Sequence, residues 1–434
     1  MRRPSAQPFA PTRRRLIACV IGAGLPRWSR AGELAGEKPE ASMIVDWDRA
    51  LLESIKTSAT SPCLASRSLA LLHQAAHDAF ITQSGGTPLL RPQGGITYAP
   101  SSPRATLASA AATVAIALYP AHRSAFEALL EKQLRGVPTD GHRPAQEAGA
   151  AWAAAHLGAR EGDGASRNVT YVPTPGPGRW QRTPTKMRPP ELPHWSQVQP
   201  FTLSSARQFR PGPPPDLASR EYASGWARVR EVGGVKSLVR TSEETDVAKF
   251  WSCFSYTVTP AGHWNSVLGD LAQSRSLPLA DTVRAFATLA LVMADASIAA
   301  WDAKYAYNFW RPVQAIPKAG EDGNPKTAAD THWKPLLETP PHPEYVSGHS
   351  VFARAGVEVM RSVFNQQDIP FKTYSDTLPD VQRSFSSFQS AADEMSASRI
   401  FGGIHFPFST VAGQKLGKEV ADRTLSWVHK KLIS

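Results

Sequence analysis

Apolar residues recur at i, i+3 and i+4 along most of this chain, and that period fixes the kind of fold it can adopt. Ser66–Phe80, Arg104–Leu118, Ala121–Leu134 and Ala145–Ala159 form a first set of such segments, rich in alanine and leucine. A second set comprises Ala218–Val232, Glu243–Phe254, Ala280–Trp310, Ser350–Phe364, Val381–Ile400 and Thr410–Lys431. Residues three and four apart share a helical face, so each segment carries an apolar stripe that must be buried against another helix. No sustained alternating run accompanies them. The expected fold is all-α, with two four-helix-bundle-like halves. An apolar fraction of 42% over 434 residues supplies such a core and excludes a disordered chain. The most apolar stretch, Ala285–Ala294, is interrupted by Asp295 and falls short of the ~20 residues that cross a bilayer, so no transmembrane segment is expected.

Between the two sets lies Val169–Pro215, with twelve of the 37 prolines. Such a stretch cannot be helical. Trp180, Trp195, Phe201 and Phe209 are interleaved with the prolines, which a flexible linker rarely tolerates. The expectation is an ordered, extended crossover (169–215) wrapping the helices of a single domain, residues 41–434.

The chain has 48 Lys+Arg against 37 Asp+Glu, a formal charge of +11 that invites nucleic acid as a partner. Seven of those charges are arginines within residues 1–30, where there is no acid, which leaves +4 for the rest. No nucleic-acid motif appears either, so nucleic acid is not expected as a partner. Thr12-Arg-Arg-Arg15-Leu16 and the apolar run to Leu25 read as the n-region and h-region of a twin-arginine-type signal. Residues 1–40 are therefore expected to be a basic leader. The mature protein would be exported, periplasmic or extracellular, and cytoplasmic if the leader is no signal. Cys19 falls in the leader; Cys63 and Cys253 fit no zinc spacing, and whether they pair stays open.

Three segments within residues 300–415 concentrate the unusual chemistry. In Lys304-Tyr-Ala-Tyr-Asn-Phe-Trp-Arg311-Pro312 two cations stand seven residues apart, two helical turns, and so project from one face of a helix that Pro312 ends. His342-Pro-Glu-Tyr-Val-Ser347-Gly348-His349-Ser350 leads into a helix, and places a hydroxyl, free backbone N–H groups and an imidazole at its positive end. Ser398-Arg399-Ile-Phe-Gly-Gly-Ile-His405 sets a guanidinium before a glycine break and an imidazole after it. Each segment alone is unremarkable: a serine N-cap, an arginine and a histidine around a turn. Jointly they suit a tetrahedral oxyanion of two or three negative charges. Arginine forks match its oxygens, one histidine can bond the central atom, and the other can move protons opposite it.

Lys-x6-Arg-Pro, Ser-Gly-His and Ser-Arg-x5-His, in that order, resemble the three-part signature of the vanadium-dependent haloperoxidases and type-2 phosphatidic acid phosphatases. More loosely, RSLALLHQAAHDAF, PGPGRWQRTPT and AKFWSCFSYTVTPAGHW resemble the bacterial haloperoxidase branch. That family is all-α, built on two four-helix bundles. The resemblance implies that Lys304, Arg311, Ser347, Gly348 and Arg399 hold the equatorial oxygens of a vanadate cofactor, with His405 as axial vanadium ligand and His349 as acid–base group. Lys304 would polarise bound peroxide and halide would attack it, giving hypohalous acid that halogenates a small organic acceptor. His342 would tune the halide, its imidazole looking more like the bromoperoxidases. A homo-oligomer is admitted as a partner state. Phosphate shares the charge and shape of vanadate, and the same pocket would serve a soluble acid phosphatase in which His405 attacks phosphorus and His349 protonates the leaving group. Two departures stand out: Val346 precedes Ser347 where the family usually has proline, and Ser409 stands where it often has an aspartate that orients the axial histidine. Asp393 or Asp246 would have to supply that carboxylate through space.

The remaining features have plainer readings. His73-x3-His77 has Gln74 where a zincin needs glutamate, which leaves two core or surface histidines. Gly356, Gly413 and Gly417 fit helix packing. His263, in Pro260-Ala-Gly-His-Trp, is a candidate for approaching the pocket from a loop.

Overall fold

The computed structural model describes residues 41–89, 95–366 and 369–433, so the basic leader lies outside the described residues. The apolar stripes become helices: α1 (Ser42–Thr57), α2 (Pro62–Gln83), α3 (Pro103–Leu118), α4 (Arg123–Leu134) and α5 (His142–Ala159) precede the crossover. After it come α6 (Arg220–Val232), α7 (Ser242–Phe250), α8 (Thr259–Ser274), α9 (Leu279–Tyr307), α10 (Pro312–Ala315) and α11 (Gly348–Phe364). A hairpin of β1 (Phe371–Ser375) and β2 (Leu378–Phe385) leads to α12 (Phe388–Phe401) and α13 (Pro407–Ile433). The fold is thus all-α, with one two-stranded antiparallel sheet among the described residues.

Two helical groups meet along α9. In the first, α2 packs on α3, α5 and α9; in the second, α11 packs on α9, α12 and α13. Close approach at the second interface depends on small residues. A Cβ on Gly417 would collide with the Val351 carbonyl of α11, and one on Gly356 with the Trp264 ring of α8. By length and composition α9 would pass as a membrane span, which corrects the reading of its apolar run as too short. However, 94% of its most apolar 18-residue window is buried inside the protein, so its apolarity serves the core.

The crossover carries no helix longer than the single turn Trp195–Gln197, and it is bolted down as its aromatic residues require. Trp180 and Trp195 are fully buried. Trp195 Nε1 donates to Ser297 Oγ at 2.9 Å, and the Trp180 and Trp310 N–H groups donate to the carbonyls of Asn308 and Gly178. Asp295, in the middle of α9, accepts from the N–H groups of Phe201, Thr202 and Leu203 and from Thr202 Oγ1. The aspartate that interrupts the apolar run is therefore the anchor of the chain's least regular segment.

Several expectations give way. Val381–Phe385 is strand, not the start of a helix: Phe371-Lys-Thr-Tyr-Ser375 alternates buried and exposed, and a strand of five residues is too short to register as a sustained run. Three helices escaped notice. α1 spans 16 residues, α10 is a single turn of four, and α8 opens on Thr259-Pro260, whose proline reads as a breaker but occupies the first turn, where no donor is lost. Cys63 and Cys253 are both free and buried.

Candidate functional site

The helix that carries Lys304 ends earlier than its sequence pattern implies. Asn308 takes a left-handed conformation (φ 48°) and closes α9, and Arg311 lies beyond it in extended backbone at the start of α10. The two cations do not share a helical face, which corrects the two-turn reading. They meet instead through the loop from Leu336 to Ser347. Lys304 Nζ donates to the carbonyls of Pro343 (3.2 Å), Glu344 (3.1 Å) and Val346. Arg311 spreads over the same loop and the α12–α13 turn: Nε donates to the His342 carbonyl at 3.0 Å, Nη2 to His342 Nδ1 at 2.9 Å, and Nη1 to the Ile404 carbonyl at 2.8 Å and His405 Nε2 at 2.9 Å.

Arg399 and His405 flank the turn that ends α12. Gly403 there has φ +72°, and any Cβ on it would collide with the Gly233 carbonyl, so only glycine fits. Ser347 caps α11, its hydroxyl accepting from the Ser350 N–H, and the N–H groups of Gly348 and His349 open the helix without intrahelical acceptors. His349 Nε2 donates to the Ser252 carbonyl at 3.1 Å, which places its proton on Nε2 and leaves Nδ1 as the acceptor.

His405 is held in the opposite tautomer. A guanidinium only donates, so Nε2 accepts from Arg311 and the ring proton sits on Nδ1, donated to Glu344 Oε1 at 2.8 Å. Glu344 also accepts the Phe406 N–H at 2.9 Å. It supplies the carboxylate expected from Asp393 or Asp246; Asp393 instead bonds Gln389 and Gln414 at the surface. Burial pushes the Glu344 carboxyl up to about 7, against the pull of Arg311, the Phe406 N–H and Lys304. The Ser409 hydroxyl is near enough to favour the charged form yet makes no hydrogen bond of ordinary geometry. Sequence reasoning missed Glu344, although it stands inside the His342–Ser350 motif as its one acidic residue.

A cavity of about 220 Å³ opens on this cluster, lined by His342, Gly348, His349, Arg399 and His405 together with Trp301, Phe254 and Phe352. Lys304, Arg311 and Ser347, all at 0% exposure, stand behind that wall. Arg399 is also at 0% exposure; Nη1 donates to the Trp251 carbonyl at 2.6 Å, while Nε and Nη2 have no partner. Burial depresses the buried cations and imidazoles of the cluster, and for all but Arg399 neighbouring cations add to it. Lys304 and the imidazoles of His342, His349 and His405 are held well below their usual values, chiefly by burial and then by neighbouring Lys304, Arg311 or Arg399. Arg311 and Arg399 come down to about 10. The cluster is short of negative charge: burial disfavours its cations, and an anion in the cavity would restore them. Among the described residues no group of three or more His, Cys, Asp or Glu side chains could hold a bare metal ion. The donors present suit oxygens.

Other candidates fall outside. His263 lies on α8, not a loop, and bonds Thr373 Oγ1 at 2.9 Å beside a second cavity. His73 and His77 are core residues bonded to Asp48 and Asp78.

A family model described as the VCPO second helical-bundle domain matches residues 284–433. The vanadium chloroperoxidase of Curvularia inaequalis is 26% identical over 253 residues, 48% of this chain; the chain spans only 41% of the length of that curated relative. Among solved structures, a bacterial vanadium-dependent iodoperoxidase superposes with a TM-score of 0.77 at 28% identity, over 93% of this chain and 98% of its own. A holo-type bacterial vanadium-dependent chloroperoxidase shares the fold with a TM-score of 0.67 at 17% identity, over 86% of this chain and 94% of its own.

Proposed function

We propose that this member of the vanadium-dependent haloperoxidase and type-2 phosphatidic acid phosphatase superfamily is itself a vanadate-dependent haloperoxidase, oxidising halide with hydrogen peroxide to hypohalous acid that halogenates an organic acceptor. The observation that carries the reading is Arg399: a fully buried guanidinium with two unpaired nitrogens, beside a cavity that also receives His405, His349 and the N-terminus of α11. That donor set fits vanadate. Lys304, Arg311, Ser347, Gly348 and Arg399 would hold its oxygens and His405 Nε2 its central atom; when bound, vanadate supplies Lewis-acid activation of peroxide without changing oxidation state.

The protein's own contribution is orientation and proton movement. Glu344 fixes His405 with its proton on Nδ1, so that Nε2 carries the ring's lone pair. Arg311 Nη1 donates to that lone pair here and would have to release it for Nε2 to take a ligand. Ser252 holds the His349 proton on Nε2, so Nδ1 would be the atom to accept a proton from peroxide. Burial is the main reason the His349 imidazole is held down, followed by Arg399, and a bound anion would offset only the share due to Arg399, Lys304 and Arg311. Trp301 and Phe352 give the cavity an apolar side.

Purified protein loaded with orthovanadate should form triiodide from iodide and peroxide and brominate a diketone, and phosphate should compete with loading. His405→Ala should abolish vanadate retention, whereas His349→Ala should spare retention and lose turnover. A second reading has one specific support: the Glu344–His405 pair is also what a phosphohistidine-forming phosphatase needs to raise its nucleophile. Hydrolysis of p-nitrophenyl phosphate, with vanadate inhibiting and no halide oxidation, would make it the better one. An exported location is part of the proposal and follows from the leader alone; it is checked by cell fractionation.

A further inference from the structure

Glu191 is a carboxylate in the cavity that the chemistry above does not use. It stands on the crossover, its backbone clamped at three points. Its N–H donates to the Pro341 carbonyl at 2.8 Å, and its carbonyl accepts from Trp301 Nε1 at 3.2 Å and Tyr305 OH at 2.6 Å. Among the described residues its side chain has no hydrogen-bond or ion-pair partner, and it lines the same cavity as His349 and Trp301. Burial pushes the carboxyl up, while Arg188, Arg311 and Lys304 pull it back.

The rest of the lining is aromatic or apolar at Trp301, Phe254, Tyr256, Phe352 and Pro62, with Ser252, Ser255 and the charged trio Lys186, Arg188 and Glu338, in which Glu338 is ion-paired to both cations. Among the described lining residues Glu191 is therefore the carboxylate left without an ion pair, across from the donors of the oxyanion cluster. The volume of about 220 Å³ is enough for one substituted ring, given that benzene fills an apolar cavity of about 150 Å³. An anionic acceptor would meet the Glu191 carboxylate, whereas a neutral ring bearing a hydroxyl would satisfy it.

We propose that Glu191 binds the acceptor: it takes the hydrogen bond from the hydroxyl of a phenolic or enolic substrate whose ring lies against Trp301, turning the electron-rich carbon toward the oxyanion cradle. This rests on the haloperoxidase reading, since hypohalous acid is the co-reactant. Glu191 takes the O–H proton as the ring carbon forms its bond to halogen and the oxygen–halogen bond breaks. The departing hydroxide removes the proton from the same ring carbon as water, and Glu191 returns its proton to the oxygen. Arene and hypohalous acid thus give haloarene and water.

The test separates binding from turnover. Calorimetric titration of the protein with phenol and with anisole, without vanadate or peroxide, should show phenol at least tenfold tighter, and Glu191→Ala should bring that ratio near one. With vanadate, phenol halogenation should fall at least tenfold more than triiodide formation in Glu191→Ala and in the isosteric Glu191→Gln, which guards against misfolding. Equal binding of phenol and anisole by the parent overturns the proposal, as does an unchanged ratio in Glu191→Ala, or equal losses of the two activities. Absence of triiodide formation by the parent sinks only the haloperoxidase reading, because the binding ratio still judges the acceptor site.

Discussion

Arg399 shows at the scale of one residue how a site is kept ready at a cost to stability. A guanidinium buried to 0% exposure with Nε and Nη2 unpaired is a desolvated charge that only a ligand can repay. Arg399→Met should therefore raise the stability of the ligand-free protein, by about 1–3 kcal/mol in denaturant unfolding, while removing its stabilisation by phosphate. His263 gives a separate, pH-dependent prediction. Burial holds its imidazole down to about 4, with Asp376 pulling weakly the other way, against 6.5 when unfolded. Between those values the unfolded chain binds a proton that the folded chain refuses. The His263 share should thus vanish above about pH 6.5 and cost up to ~3 kcal/mol as pH drops toward 4, on top of the slope from the other buried histidines. His263→Gln should make that acid limb shallower by this amount in urea titrations at pH 7, 6, 5 and 4.5. At this scale the sequence showed which residue types gather in three motifs. It did not show that Glu344 rather than Asp393 or Asp246 orients His405, because a hydrogen bond across 61 positions has no local signature.

Among the elements, the interface of α11 with α13 sets the position of Ser347 and His405, and it is held close by glycine. Gly417→Ala would press a methyl group into the Val351 carbonyl and bring it 3.1 Å from the Ala355 nitrogen. It should cost about 1–3 kcal/mol, read as a lowered thermal midpoint, since overpacking a tight interface forces backbone shifts. The crossover depends on Asp295 in a comparable way. Asp295→Ala would leave the N–H groups of Phe201, Thr202 and Leu203 without their acceptor, at ~3 kcal/mol or more. Limited proteolysis should then cut within residues 195–215, where the parent resists. Helices with long stripes were legible from their period alone. The hairpin 371–385 and α8 were not: short strands give too few repeats to count, and a proline in a first helical turn looks like a breaker.

For the molecule as a whole, the cationic cluster links folding to ligand. A tetrahedral oxyanion that binds only the folded state should raise the thermal midpoint in proportion to the logarithm of its concentration, by ~2.7 kcal/mol at a hundredfold excess over Kd. Orthovanadate should act at lower concentration than phosphate, and sulfate more weakly than either; equal shifts by all three at equal ionic strength would mean only general salt effects. The sequence by itself determined the all-α class, the ordered crossover and the three motifs, because helical period, proline and unusual side-chain chemistry are local properties. Tertiary structure alone decided the rest. It ended α9 at Tyr307 so that Lys304 and Arg311 meet through a loop, placed Glu344 behind His405, left Arg399 half unpaired and set Glu191 in the cavity wall. Those facts depend on which helices pack together, and packing joins residues that no spacing along the chain relates.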